Sequence, residues 1–189
     1  MNCEKALKFI DQNKDSLLKD LQTLIHQPSI SAKNEGIEEC SVLVSKILKK
    51  SGITSEILRL GKNAAPLVYG EVKSKNNPNT TLLFYNHYDV QPVEPLELWD
   101  DPPFSGKIIG NKIFGRGASD DKGELITRIK AVESYLKTYG DVPCNIKFVI
   151  EGEEENGSEN IERYLKKYKK KFSCDGVVWE FGYVDQKNR

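Results

Sequence analysis

The chain has 189 residues, of which 38% are hydrophobic and 30% are charged, which is typical of a globular domain with a core of its own. Lys plus Arg and Asp plus Glu number 28 each, so the formal net charge is zero. This balance gives no electrostatic reason to expect nucleic acid or an anionic membrane as a partner. The first residues hold no apolar stretch long enough for a signal peptide or a membrane span, so we expect a cytoplasmic protein.

The hydrophobic pattern divides the chain into alternating helices and strands. Apolar residues recur at helical spacing from Leu7 to Ile25, whereas 80-TTLLFYN-86 is a continuous apolar run typical of a strand buried on both faces. The predicted helices cover about 4–26, 35–50, 123–140 and 158–170. The predicted strands cover about 53–60, 66–73, 80–86, 144–155 (where the strand runs into acids) and 176–180, with a hairpin in 107–117. This alternation favours an α/β fold, a three-layer sandwich around a mostly parallel sheet.

Residues that can bind a metal follow three of the predicted strands, and two more acids lie in the Gly-rich segment 115-GRGASDDKG-123 before a predicted helix. These residues are His87, Asp89, Asp120, Asp121, Glu153, Glu154, Glu155 and Glu180. In open α/β sheets, ligands bind at the carboxyl ends of the strands. Each feature alone also has a structural explanation, such as a hydrogen-bonded histidine, a solvated acidic loop or a helix N-cap.

The joint arrangement of these residues favours a metal site. Carboxylates that converge from separate strand ends repel one another and are costly to desolvate unless cations neutralise them. One imidazole with several carboxylates suits a pair of zinc-like divalent ions that share a bridging carboxylate. A metal-bound imidazole usually donates its other N–H to a carboxylate, and Asp89 is two residues beyond His87 on the same face of an extended segment. We therefore interpret His87 as a ligand and Asp89 as the residue that orients it.

The ordered segments NHYDVQP, LWDDPPF, GRGASDDKG, EGEEENGS and VVWEFG resemble the aminoacylase/carboxypeptidase-G family of co-catalytic zinc metallopeptidases. The form HYDVQPVEPLELWDDPPF is especially similar to the branch that contains carnosinase and the cytosolic non-specific dipeptidases. The similarity runs over nearly all of the chain. It implies a zinc exopeptidase-like fold and two divalent metal ions, zinc first, with cobalt or manganese as alternatives.

The resemblance also implies a role for each residue of the metal site. His87 binds one metal and Asp89 orients it. Asp120 bridges both metals, and a cis peptide bond is expected between Asp120 and Asp121. Glu180 completes the first metal's ligands, at a position where many relatives have Asp.

The acidic run is assigned in the same way. Glu154 is the general base, Glu155 binds the second metal, and Glu153 fills a variable position. The implied function is hydrolysis of dipeptides by a water that two metals and a Glu base activate. One alternative is deacylation of N-acyl amino acids at the same metal centre. Another is a non-catalytic metal-binding or interaction module, against which the intact Glu154 argues.

The chain departs from the family pattern in length. Members of the family are much longer, so residues 1–189 are expected to be a truncated, amino-terminal portion of the catalytic domain. The lid or dimerisation domain, the rest of the catalytic domain and a histidine ligand of the second metal would then be absent. His26, the only other histidine, is expected to be structural. We expect the full-length form to be a homo-oligomer, and this chain alone to bind at most one metal well and to hydrolyse dipeptides poorly.

Overall fold

The structure is a computed structural model that describes residues 3–179. Its helices are α1 Glu4–His26, α2 Ile37–Lys50, α3 Lys122–Tyr139 and α4 Ile161–Lys167. Its strands are β1 Thr54–Leu58, β2 Leu67–Val72, β3 Thr81–His87, β4 Lys107–Ile109, β5 Lys112–Phe114, β6 Asn145–Glu151 and β7 Gly176–Val178. Short 3₁₀ turns occur at Ser31–Lys33, Leu96–Leu98 and Glu154–Asn156.

Five of the strands form one sheet in the order β1-β2-β6-β3-β7. Strand β3 pairs in parallel with both β6 and β7, whereas β2 is antiparallel to both β1 and β6. Four of the five strands therefore run in the same direction and only β2 opposes them. The sheet is mostly parallel, as predicted. The predicted hairpin is also present, because β4 and β5 pair antiparallel to each other apart from the main sheet.

Helices cover both faces of the sheet. On one face, Leu24 of α1 and Ile129 of α3 share a buried core with Phe148 of β6, and α2 contributes to the same core. On the other face, Tyr164 of α4 packs in a second core with Val149. Phe148 and Val149 are adjacent in β6, so their side chains point to opposite faces. This arrangement confirms the predicted three-layer α/β/α sandwich.

Most element boundaries agree with the sequence-based expectation, and α1 coincides with the predicted range 4–26. One exception is β6, which ends at Glu151 before the acidic run, whereas the predicted range extended to 155. The other is α4, which is shorter than the predicted range 158–170. Ser158 has a φ of 54°, which is left-handed backbone and outside the α-helical region, so the helix cannot begin there. At the other end, the chain leaves the helix after Lys167 and turns so that Phe172 enters the second core.

Two features of the described residues concern contacts with a membrane or with other chains. Among residues 3–179, none of the helices combines the length and the apolar character that crossing a membrane would need. Strand β7 forms one edge of the described sheet. The side chains of Val177 and Val178 on this strand, and of Trp179 after it, are exposed.

A buried cluster of charges links α1 to α2 and α3. The ammonium of Lys130 in α3 donates to Asp20 of α1 at 2.6 Å and to Glu133 at 2.7 Å, and Lys50 of α2 donates to Asp20 at 2.6 Å. The side chains of Lys130 and Asp20 are 6% and 9% exposed. Burial favours the neutral form of Asp20, but the hydrogen bonds and charges of Lys130 and Lys50 outweigh it and hold the pKa of Asp20 below its usual value of 3.8.

Replacing Asp20 with asparagine should therefore destabilise the fold in a pH-dependent way. At pH 7 we expect a loss of about 2 kcal/mol in the free energy of unfolding, as for other lost hydrogen bonds to charged groups. Because the folded-state pKa is below the unfolded-state value, the contribution of Asp20 is complete above the unfolded pKa and is lost as the pH falls through the folded pKa. Urea denaturation of both proteins in acid should show the difference shrinking below about pH 4. A difference that stayed constant into strong acid would contradict this assignment.

Candidate metal centre

The candidate site lies where β3 and β6 end. These strands are parallel neighbours with His87 in register with Glu151, so the segments that follow them emerge at the same edge of the sheet. The loop before α3 reaches this edge as well. The carboxylate of Asp121 accepts hydrogen bonds from the backbone N–H of His87 at 3.0 Å and from the side chain of Asn86 at 2.7 Å. Three of the four acid-containing segments therefore converge.

His87 is completely buried at the end of β3. Its Nδ1 lies 3.0 Å from the backbone carbonyl oxygen of Asp89 and 3.3 Å from the Asp89 carboxylate. Both of these groups are acceptors, so they would hold the proton of a metal-bound ring on Nδ1 and leave Nε2 as the ligand atom. Nε2 faces Asp120, whose Oδ1 is 2.9 Å away. Nε2 of His87 and the carboxylate of Asp120 are therefore close enough to bind the same cation.

Asp120 brings a carboxylate to the same point from the loop that precedes α3. Its side chain is 74% exposed, and its peptide bond to Asp121 is cis, as the resemblance implied. An exposed carboxylate is not fixed by packing. Its position depends mainly on how the backbone of the loop is held.

Glu155 supplies the third metal-capable side chain, from the 3₁₀ turn that follows β6. Its Oε2 accepts a hydrogen bond of 2.6 Å from Gln91. Burial raises the pKa of Glu155, and the nearby charges of Asp120 and Asp89 act in the same direction. These effects penalise the ionised form in the absence of a positive charge. A bound cation would offset this penalty and favour the ionised carboxylate of Glu155.

The residues present fit a divalent metal ion. His87, Asp120 and Glu155 each offer one ligand atom, and these atoms lie within 4.8 Å of one another. The set is one imidazole nitrogen and two carboxylate oxygens, a combination that zinc accepts and that cobalt and manganese also tolerate. A cation at this point would offset the repulsion between the two carboxylates.

Glu154 lies beside these three residues without belonging to the group. Its Oε2 is 3.8 Å from Nε2 of His87, and its side chain is 33% exposed. The carboxylate is thus close to the candidate metal position and still reaches solvent. This placement suits a group that exchanges a proton with a water molecule at the site.

Asp89 makes contacts that the sequence did not indicate. Its carboxylate is fully buried, with Oδ1 3.2 Å from the backbone N–H of Glu154 and Oδ2 3.1 Å from that of Glu155. The same carboxylate lies near Nδ1 of His87. One side chain therefore contacts both the histidine and the acidic turn. No signal in the sequence could have shown this, because the contact joins residues far apart in the chain.

Glu153, which was assigned to a variable position, and His26, which was expected to be structural, both form hydrogen bonds within the protein. The carboxylate of Glu153 accepts hydrogen bonds from the backbone N–H of Ala65 at 2.7 Å and from Asn160 at 3.0 Å. It is therefore occupied by the protein itself. Nε2 of His26 lies 2.8 Å from the backbone carbonyl oxygen of Ser105, and His26 does not belong to the metal-capable group.

Glu180 lies outside the described residues, so its predicted role as a ligand stays a prediction. Glu151, at the end of β6, was not singled out by the sequence analysis. Burial raises the pKa of Glu151 to about 7, although Tyr85 and Ser158 donate hydrogen bonds to its carboxylate. The sequence feature that could have pointed to Glu151 is its position as an acid at the end of an apolar strand.

Comparisons of the chain with a family model, with curated relatives and with solved structures give consistent results. The model of peptidase family M20/M25/M40 matches residues 83–188. A Cys-Gly metallodipeptidase of Schizosaccharomyces pombe is 34% identical over 193 residues, covering 92% of this chain and 40% of the relative.

Two solved structures share the fold. The M20 family metallo-carboxypeptidase Sso-CP2 from Sulfolobus solfataricus has a TM-score of 0.85 and 39% identity, covering 92% of this chain and 39% of that one. Human carnosine dipeptidase 1 has a TM-score of 0.87 and 27% identity, covering 97% of this chain and 42% of that one. The chain spans about two fifths of the length of the curated relatives it matches.

Proposed function

Because the chain belongs to peptidase family M20/M25/M40, we propose that it is the metal-binding part of a metallopeptidase that hydrolyses dipeptides. Residues 1–189 then correspond to the amino-terminal portion of the catalytic domain. The observation that carries this proposal is the convergence of His87, Asp120 and Glu155 at one edge of the sheet. Similarity to a Cys-Gly metallodipeptidase and to a carnosine dipeptidase supports dipeptides as the substrate class.

In this proposal the site holds two divalent ions, zinc first, with cobalt or manganese as alternatives. His87, Asp120 and Glu180 would hold the first ion, and Asp120 with Glu155 would hold the second. Asp120 would thus belong to both ligand sets. When bound, such ions supply Lewis-acid chemistry, which makes a water more acidic and a peptide carbonyl more electrophilic.

Glu154 acts as the general base and acid. Its carboxylate accepts a proton from the attacking water while the water oxygen bonds to the carbonyl carbon of the substrate. The C–N bond then breaks, and Glu154 delivers the proton to the nitrogen of the leaving amine. The placement of Glu154 beside Nε2 of His87, outside the group of three ligands, supports this role.

The properties of the whole protein are proposals as well. We propose that the full-length form is a homo-oligomer, as the family resemblance implies, and that the protein is cytoplasmic. We also propose that residues 1–189 alone bind one metal well and turn over dipeptides poorly. Of the residues proposed to hold the second ion, those among residues 3–179 are Asp120 and Glu155, and neither supplies an imidazole.

The chain's two histidines allow a matched test of the metal site. Replacing His87 with alanine removes the only nitrogen donor of the group, so the affinity for zinc should fall by about 100-fold or more, beyond what loss of a supporting residue would cause. Replacing His26 with alanine removes an imidazole of equal intrinsic affinity that lies elsewhere and should leave zinc binding unchanged. Calorimetric zinc titration of the wild-type protein and the two variants measures the effect of each substitution. Equal affinities in the wild-type protein and the His87→Ala variant would refute the proposed site.

A further inference from the structure

Lys122 is a buried lysine two residues after Asp120. It is fully buried, and its ammonium donates to the backbone carbonyl oxygens of Leu24 at 3.1 Å and of Gln27 at 2.7 Å. These carbonyls belong to the last turn of α1 and to the residue that caps it. The metal-binding proposal gives Lys122 no role.

The position suits a cation because of the helix end. The last carbonyl groups of a helix have no N–H partner within the helix and carry a partial negative charge. The ammonium satisfies two backbone carbonyls there. Since Lys122 is the first residue of α3, it fastens the start of α3 to the end of α1.

The loop that carries Asp120 is closed tightly around this lysine. The backbone N–H of Lys122 donates to the carbonyl of Gly117 at 3.0 Å. A Cβ on Gly117 would lie 2.7 Å from Val90 and 3.2 Å from the Lys122 side chain. A Cβ on Gly123 would lie 2.1 Å from the carbonyl oxygen of Ala118. The backbone on both sides of Asp120 thus has little freedom as long as Lys122 is in place.

The carboxylate of Asp120 depends on this backbone. Its side chain is 74% exposed, so packing does not fix it. The loop is held at two successive residues, by Asp121, which binds the end of β3, and by Lys122, which binds the end of α1. Loss of either attachment would let Asp120 move relative to His87.

We propose that Lys122 is a positioning residue of the metal site, which sets the place of the Asp120 carboxylate by tying its loop to the end of α1. The proposal rests on the proposed function, because it requires Asp120 to be a metal ligand. Lys122 itself contacts no metal or substrate. Its effect is on the affinity of the site for metal, through the geometry of the ligand set.

Lys130 provides a matched control for a purely structural role. It is also a buried lysine of α3, and it also links α3 to α1, through Asp20. It lies about two helical turns beyond Lys122, and the hydrogen bonds of its ammonium go to Asp20, Ser51 and Glu133. Removal of its charge should reduce stability without moving the metal ligands.

The test compares Lys122→Met with Lys130→Met and the wild-type protein. Urea denaturation should show that both variants are less stable. Calorimetric zinc titration is done under conditions where all three proteins are folded. Only Lys122→Met should bind zinc more weakly than the wild-type protein, by about tenfold or more, as for the loss of other residues that support a metal ligand. The Lys122→Arg variant, which keeps the cation, should bind zinc more tightly than Lys122→Met.

Each result decides a separate question. Wild-type affinity in Lys122→Met would overturn the positioning role alone, and so would an equal loss of affinity in Lys130→Met. Failure of the wild-type protein to bind zinc would overturn the proposed function and the positioning role together. If Lys122→Met does not fold, Lys122→Gln, which keeps one donor for a carbonyl, is titrated instead, with the same expected loss and the same overturning result.

Discussion

Replacing Glu154 with glutamine is expected to lower kcat/KM for dipeptide hydrolysis by about 10²–10⁴-fold, the usual contribution of a general base. The affinity for zinc should stay unchanged, because Glu154 lies outside the group of three metal-capable side chains. The amide keeps the size and shape of the carboxylate but cannot accept the proton of the attacking water. Steady-state kinetics on a dipeptide, in a form of the protein long enough to show wild-type turnover, measures the first quantity. Zinc titration measures the second.

Glu159→Gln is the control for this substitution. Glu159 is an exposed acid of the same segment and has no place in the proposed chemistry, so its loss should change neither activity nor metal affinity. Retention of most activity in Glu154→Gln would mean that another acid of the run is the base. A large loss of zinc affinity would instead mean that Glu154 is a metal ligand.

Replacing Asp89 with alanine is expected to weaken zinc binding by about 10–100-fold, the usual effect of losing a group that supports a metal ligand. The substitution removes the carboxylate near Nδ1 of His87 and the acceptors for the backbone N–H groups of Glu154 and Glu155. Two ligands, His87 and Glu155, would lose support together. Two partly buried backbone N–H groups would also lose their acceptors, so the protein should be less stable as well. Zinc titration and urea denaturation of the same preparations measure both effects.

An Asp89→Asn variant separates the two roles of this carboxylate. The side-chain oxygen of asparagine can still accept a hydrogen bond from one backbone N–H of the acidic turn. Its NH2 group would face the other backbone N–H, and two donors cannot form a hydrogen bond. If Asp89 supports the turn as well as His87, asparagine should restore only part of the lost affinity. Wild-type zinc affinity in Asp89→Asn would show that the contacts with the turn do not matter to the metal site.

The fold was predictable from the sequence because local patterns dominate it. The helical periodicity from Leu7 to Ile25 placed α1 at its observed bounds. The apolar run before His87 placed β3, and the alternation of helices and strands gave the layers. The prediction for α4 was too long because the left-handed backbone at Ser158 does not show in hydrophobic periodicity.

The candidate site was predictable only in part. Residues at strand ends, such as His87 and Glu155, can be read from the sequence because strand ends in a parallel sheet meet at one edge. The contacts of Asp89 with the acidic turn and of Lys122 with the end of α1 join segments about 65 to 98 residues apart. Only the packed structure brings these segments together. The role of Glu180 stays a prediction.

Anomalous X-ray diffraction at the zinc absorption edge, from crystals of the wild-type protein grown with zinc, tests the metal site directly. We expect an anomalous peak within about 2.0–2.2 Å of Nε2 of His87 and of a carboxylate oxygen of Asp120, distances typical of zinc ligands. A carboxylate oxygen of Glu155 should border the same site. A zinc peak at His26, with none between His87 and Asp120, would contradict the proposed site.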